Sequence, residues 1–433
     1  MNRRMFMKLV AATGMAYTLP AVSTKAQAAP PDRFWVMVHA GGGWDPTSLV
    51  DPKGDAPRSD GRGPVNSFAA ADIKQAGNIR YAPLPVTNRL SADEQTRVET
   101  AFDTFFTNHG SNLLVINGID TQTNSHTVGT RTVWSGTSNM GNPAFAAMVA
   151  AANGDGLPMP FVTNGGYDNT AGLVGASRVS GSGQFNRLAY PNRDNPNNEN
   201  DLLLDSDLYA LVEDAMTQRL DTLRQRERLP QRRRLASELF GVRTGENSLD
   251  RIVDKLPERV SGGIKGQAEM AAAAFAAGLA VSANLTSGGF DTHGDHDRRQ
   301  FLSLATLLEG LEHLWSELQR QGIADRTTIL VGSDFGRTPY YNGGNGKDHW
   351  NVTSMMAFGA GISGNQVIGG TTPEFRTLKV NPSTLEVNPD PDGDGLTLTT
   401  AHIHQSLRRI AGIEGTEMDR MYPIGVEQLA LFG

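Results

Sequence analysis

The chain has no cysteine in its 433 residues, so no disulfide staples it. It has no basic excess either: 39 Lys and Arg stand against 46 Asp and Glu, for a net charge of −7. That balance argues against nucleic acid or anionic lipid as the main partner. Past its first residues it has no apolar run of the ~20 residues that a membrane span needs. No Pro/Ser-rich linker divides it, and no repeat of solenoid period runs through it. A chain of this kind must hold itself together with a large buried core.

The first residues are different. Arg3-Arg4-Met5-Phe6-Met7-Lys8 opens a segment that continues into an apolar stretch over 9–22 and ends in Ala26-Gln27-Ala28. Basic residues, apolar run and small-x-small site fall in the order of a cleavable export signal. The paired arginines resemble the twin-arginine export motif, which implies a partner in the twin-arginine export machinery and a periplasmic or secreted product. Residues 1–28 are the expected leader, and 29–433 the mature chain without a membrane span. The leader holds four basic residues and no acidic one, so cleavage takes the net charge from −7 to −11.

Short apolar runs alternate with helical patterns, which predicts an α/β domain over 29–433. Strands are expected at Phe34–Val38, Leu113–Asn117, Ala280–Leu285, Thr328–Gly332 and Met355–Phe358. Ser91-Ala92-Asp93-Glu94 is a capping box, followed by Val98, Phe102 and Phe105 on one helix face. Phe301, Ala305, Leu308, Leu311, Trp315 and Leu318 form a second stripe, on which His313 reads as a surface residue. Ile403, Leu407 and Ile410 form a third. Two stretches read as insertions: an irregular one over about 46–85, and a helical one over about 165–265 with arginine-rich runs at 224–228 and 231–234.

In an open α/β sheet, ligands bind beyond the carboxyl ends of the strands. The turns there carry His39 and Asp45, then Asp120, Ser125 and His126, then Asp291, His293 and His296, then Asp334 and Arg337. Asp348 and His349 stand just before the strand at Met355. The chain has 9 histidines, and five of them fall in these turns. Clustered imidazole and carboxylate suit a divalent metal of the zinc or manganese kind.

Three blocks carry a family resemblance: Phe290-Asp291-Thr292-His293-Gly294, Asp334-Phe335-Gly336-Arg337-Thr338-Pro339 and Gly346-Lys347-Asp348-His349-Trp350. With Asn117-Gly118, Ser125-His126 and Gly42-Gly43-Trp44-Asp45, they resemble the bacterial family known as domain of unknown function 1501. That family is similar, more distantly, to the alkaline phosphatase and sulfatase superfamily. The resemblance implies an alkaline-phosphatase-like, mostly parallel sheet flanked by helices, with a helical insertion. It further implies metal ligands among Asp45, Asp291, His293, Asp334 and His349. Ser125 is the expected nucleophile, with His126 and Thr127 as rivals, and Arg337 the expected grip on a transferring oxyanion. The pattern departs at Phe335, where the phosphatases place a His ligand, so a second metal would need His39 or His126. The lack of cysteine, and of any serine followed by x-Pro-x-Arg, argues against a formylglycine sulfatase.

Asp390, Asp392, Asp394 and Gly395 match the first half of a calcium loop, but Ala401 stands where its bidentate Glu belongs. An acidic surface turn is the simpler reading. The functional expectation is a metal-dependent hydrolase of phosphate or sulfate esters with an unidentified small-molecule substrate. Its alternative is a non-catalytic exported metal-binding, surface or assembly protein on the same fold.

Overall fold

A computed structural model describes residues 32–179, 190–195, 198–230, 232–233, 236 and 250–432. The chain separates into two units, Met1–Pro30 and Pro31–Gly433. The first unit lies outside the described residues, and the export leader with it; so do Gln231 and Arg234 of the second arginine run.

The strands are β1 (Phe34–Ala40), β2 (Lys74–Ala76), β3 (Ile79–Tyr81), β4 (Leu114–Asp120), β5 (Phe161–Thr163), β6 (Ala176–Arg178), β7 (Ser282–Ser287), β8 (Thr327–Ser333), β9 (Gly336–Arg337), β10 (His349–Trp350), β11 (Val352–Gly359) and β12 (Gln366–Gly369). The helices are α1 (Ala92–His109), α2 (His126–Ser135), α3 (Phe145–Asn153), α4 (Ser206–Arg226), α5 (Asp250–Val253), α6 (Gly263–Ala276), α7 (His296–Arg320), α8 (Thr400–Ile410) and α9 (Glu417–Met421).

Eight strands form one sheet in the order β12-β4-β11-β8-β1-β7-β5-β6. Its pairings are parallel except those of β11, which runs against both β4 and β8. Each of the five expected strands is there; β1, β8 and β11 extend beyond their expected ranges, while β4 and β7 start one and two residues later than expected and run further on. β5, β6 and β12 were not anticipated; at three or four residues they are too short to show a period.

The central strands read as apolar runs because both faces of the sheet are covered. Along β1, Phe34, Val36, Val38 and Ala40 enter one core while Trp35 and Met37 enter the other. The same alternation divides Ile329 and Val331 from Leu330 on β8. α1, α6 and α7 cover the first face; α2, α3 and α8 contribute to the second. α1 starts at the capping box, with the Ser91 and Glu94 side chains each bonding the other's backbone N–H. His313 on α7 is half-buried, 2.7 Å from Glu269 of α6. The first insertion is mostly irregular, with the small β2–β3 hairpin, yet it sends Leu49, Val50 and Phe68 into the core. The second carries α4.

The reversed strand has a functional consequence. Parallel strands β1, β4, β7 and β8 end at one edge of the sheet, and β11 begins at that edge. Residues preceding β11 therefore meet the residues that follow the other four. α2 starts at the same edge and is pinned from behind by α8, whose His404 ring nitrogen Nε2 lies 2.8 Å from the Val133 carbonyl.

Burial pushes the His404 pKa down to about 3, against the pull of its bond to Val133 and assisted by Arg408. The imidazole is therefore neutral when folded, while the unfolded chain takes a proton below about 6.5. Its contribution is fully present above pH 6.5 and is lost as pH falls toward 3. Each pH unit in that window costs up to about 1.4 kcal/mol. Denaturant unfolding at a series of pH values should show this slope. His404→Gln, which keeps a donor for Val133, should flatten it.

Candidate metal centre

Four turns meet at the sheet edge: the segment after β1, the start of α2, the loop from β7 to α7, and the β9–β10 ribbon. Their packing leaves no room for side chains at certain points. At Gly42, whose φ is +118°, a Cβ would sit 2.5 Å from the Asp291 backbone nitrogen; at Gly346 it would sit 2.0 Å from the His293 carbonyl.

A fully buried charge cluster ties the turns together. Asp45 Oδ2 accepts from Lys347 Nζ at 2.7 Å and from His296 Nε2 at 3.0 Å. Its Oδ1 accepts from the Thr47 backbone N–H at 2.9 Å and the Thr47 hydroxyl at 2.7 Å. Burial opposes the charge on Asp45, but Lys347 and His296 outweigh it and hold the carboxyl far below its ordinary range. Burial likewise pushes His296 down, so its imidazole is neutral. Asp45 thus lies apart from the other proposed ligands, in a structural role.

Arg337 is also fully buried. Its guanidinium donates to the carbonyls of Gly42, Gly43 and Lys347 and, at 2.7 Å, to Asp291 Oδ1. These bonds occupy the group expected to grip an oxyanion; here it fixes Asp291. Burial works against the Asp291 charge, and Arg337, His349 and His293 overcome it, so the carboxyl lies below its ordinary value.

Around Asp291 stand three imidazoles. His293 Nε2 is 3.0 Å, His349 Nε2 3.3 Å and His126 Nε2 3.7 Å from its Oδ1. His293 and His349 bring their Nε2 atoms within 3.0 Å of each other. Each ring is held from its other nitrogen by an oxygen: His126 Nδ1 by Asp334 at 2.6 Å, His293 Nδ1 by Asp348 at 2.7 Å, and His349 Nδ1 by the Asn124 carbonyl at 2.8 Å. An oxygen acceptor at Nδ1 places the proton of a neutral imidazole there. Three Nε2 lone pairs then converge on one carboxylate. Two lone pairs 3.0 Å apart beside an anion repel unless a cation or added protons lie among them. Orientation of each imidazole through its far nitrogen is the arrangement that metal-ligating histidines use. His126, Asp291 and His349 form a group able to hold a metal ion, and His293 adjoins it.

Asp334 and His39 sit behind this group. Asp334 Oδ2 accepts from His126 Nδ1 and, at 3.2 Å, from the Gly42 N–H. Its Oδ1 is 2.9 Å from His39 Nε2, a close contact off the aligned hydrogen-bond direction. Burial opposes the Asp334 charge, and His39 and His126 prevail, so its carboxyl stays below its ordinary value. Trp134 Nε1 donates to His39 Nδ1 at 2.9 Å. Indole is a donor only, so His39 Nδ1 must be the acceptor and its proton must lie on Nε2, facing Asp334. In this arrangement His39 has no Nε2 lone pair to offer a second ion.

Ser125 is the residue before α2, at the N-cap, but its side chain makes no capping bond. It is exposed, between Asn124, which holds His349, and His126; Thr127, its rival, is exposed too. Phe335, where a His ligand was sought, is buried with its ring 4.8 Å from His126 and 4.5 Å from His349. Asp390, Asp392 and Asp394 form no joint ligand group among the described residues; Asp392 pairs with Arg376 at 3.1 Å on the surface.

The sequence named Asp291, His293 and His349 as ligands and His126 as catalytic; Asp334, also expected as a ligand, instead holds His126 from behind, and the parts played by Lys347, His296, Asp348 and Trp134 were not assigned. Asp348, next to His349 in a turn already marked, was the most accessible of these.

A family model described as protein of unknown function (DUF1501) matches residues 33–387. No curated protein matches the chain. Among solved structures, it is similar to the lipoteichoic acid synthase LtaP from Listeria monocytogenes, at 8% identity and a TM-score of 0.38, over 93% of this chain and 75% of that one. It is also similar to a 2-O GAG sulfatase, at 8% identity and a TM-score of 0.32, over 90% and 72%. At such scores the likeness carries no argument about this chain.

Removing one partner from the buried cluster should be costly. Lys347→Met leaves the Asp45 charge buried without its counter-charge, for a loss of about 3–5 kcal/mol. Asp45→Asn with Lys347→Met should recover much of it, as read from urea unfolding midpoints.

Proposed function

The chain belongs to the DUF1501 family, and from that premise we propose that it is a metal-dependent hydrolase of phosphate or sulfate esters. The observation that carries the reading is the convergence of the His126, His293 and His349 Nε2 atoms on Asp291. We assign the ligand set to these four residues and the ion to zinc or manganese, which imidazole and carboxylate suit. A divalent ion there supplies Lewis-acid polarisation of an ester oxygen and neutralises its charge.

The chain's own residues divide the remaining work. Arg337 fixes Asp291; Asp334, Asp348 and the Asn124 carbonyl fix the rings. Ser125 presents a hydroxyl that its own helix does not use for capping, which suits a nucleophile. The first turn of α2 has backbone N–H groups without intrahelical partners, a setting that favours an anionic ester. The ligands are open to solvent: the Asp291 side chain is 50% exposed and that of His293 47%, so a substrate has access.

A second reading, a non-catalytic metal-binding or assembly protein, is favoured by one observation. Phe335 fills the place of a ligand and His39 is locked by Trp134, so the donors present serve a single ion. For location, we propose export through the twin-arginine route; no described helix is long and apolar enough to cross a membrane. Replacing Arg3 and Arg4 by lysine should hold the precursor inside the cell.

The purified protein should take up one equivalent of zinc or manganese and hydrolyse an aryl phosphate or aryl sulfate. His349→Ala should lose the metal. Asp348→Ala should weaken metal binding by about 10–100-fold. Ser125→Ala should keep the metal and lose turnover by several orders of magnitude. Uptake of the ion with no turnover on either ester would establish the non-catalytic reading instead.

A further inference from the structure

α4 leaves its apolar side exposed, with no described element across it. None of its residues is buried. Leu208, Leu211, Met216 and Leu223 are 45%, 65%, 42% and 49% exposed. At 100° per residue these four, with Val212 and Ala215, fall on one side of the helix. The half-buried residues Thr217, Leu220, Asp221 and Arg224 fall on another. Among the described residues, no helix or strand packs along its length. An ordinary surface helix has the opposite arrangement, so this stripe is built to meet something.

Its charges indicate what. Residues 201–216 hold five acidic side chains and no basic one; residues 217–233 hold six arginines and two acidic side chains. A helix acidic in its first half and basic in its second is complementary to its own reverse. We propose that α4 pairs antiparallel with α4 of a second copy of this chain, forming a two-fold dimer. A two-fold contact is self-complementary by symmetry, so apolar stripe meets apolar stripe and each acidic half meets a basic half. With the axis between Ala215 and Met216, Leu208 lies opposite Leu223 of the partner subunit. Asp205 then lies opposite Arg226 of the partner subunit. An anionic bilayer is the poorer occupant, because Asp207, Glu213 and Asp214 in the first half would be repelled by it.

The absence of cysteine makes a direct test available. Sedimentation velocity over a range of concentrations should show a dimer, and Met216→Glu, on an exposed site, should give a folded monomer by circular dichroism. Under mild oxidation Ala215→Cys, beside the axis, should form a disulfide-linked dimer. Gln225→Cys lies about 15 Å along the helix from it and should not. A monomer at every concentration overturns the proposal, as does a dimer that Met216→Glu leaves intact. Binding of the monomer to phosphatidylglycerol vesicles that Met216→Glu abolishes would overturn it in favour of a membrane face.

Discussion

Asp45 and Lys347 bring opposite full charges into contact where water does not reach, 302 residues apart in sequence. Once the chain excludes water there, neither charge can be left alone, so the turn after β1 and the turn before β11 must close together. His296 joins the same carboxylate and brings in the start of α7. Arg337 then ties the carbonyls of Gly42, Gly43 and Lys347 to Asp291. The candidate metal centre rests on this substructure: it consists of the outward ends of turns whose inward ends are locked. A buried pair of this kind is poor evidence of net stability, but it fixes one arrangement, because any other strands a charge.

At the exposed end the logic is reversed. Three imidazoles are held by their far nitrogens with their lone pairs facing one carboxylate, an arrangement that repels itself without a positive species among them. Rigid support beneath and electrostatic frustration above are what a binding site for a cation requires. The Trp134–His39–Asp334–His126 chain shows how strongly proton positions are set by donors that cannot switch. A single indole N–H decides that His39 supports the site and does not act as a ligand.

The central strands were legible because β1, β4, β7, β8 and β11 are buried on both faces and read as apolar runs. β5, β6 and β12 were not, since three or four residues acquire strand character only from their neighbours. α2 escaped notice because its first turn, with Ser125, His126 and Thr127, reads as a polar turn; α6 is apolar nearly all round and shows no stripe. The residue types of the centre were legible from their positions after strands. The assignment of parts was not. Asp45 and Asp291 are both aspartates in glycine-rich turns, and only the partner arriving from elsewhere, Lys347 or three histidines, separates scaffold from ligand. His349 joins the set because β11 runs backwards, a fact of topology that no local pattern announces.

In the proposed site His126, His293 and His349 bind one ion through Nε2, together with Asp291. X-ray absorption on the zinc-loaded protein reads this ligand set. One zinc site with three imidazole nitrogens at about 2.0–2.1 Å and an oxygen ligand is expected. A bound zinc showing one imidazole or none, or a protein that takes up no zinc or manganese at all, would contradict it.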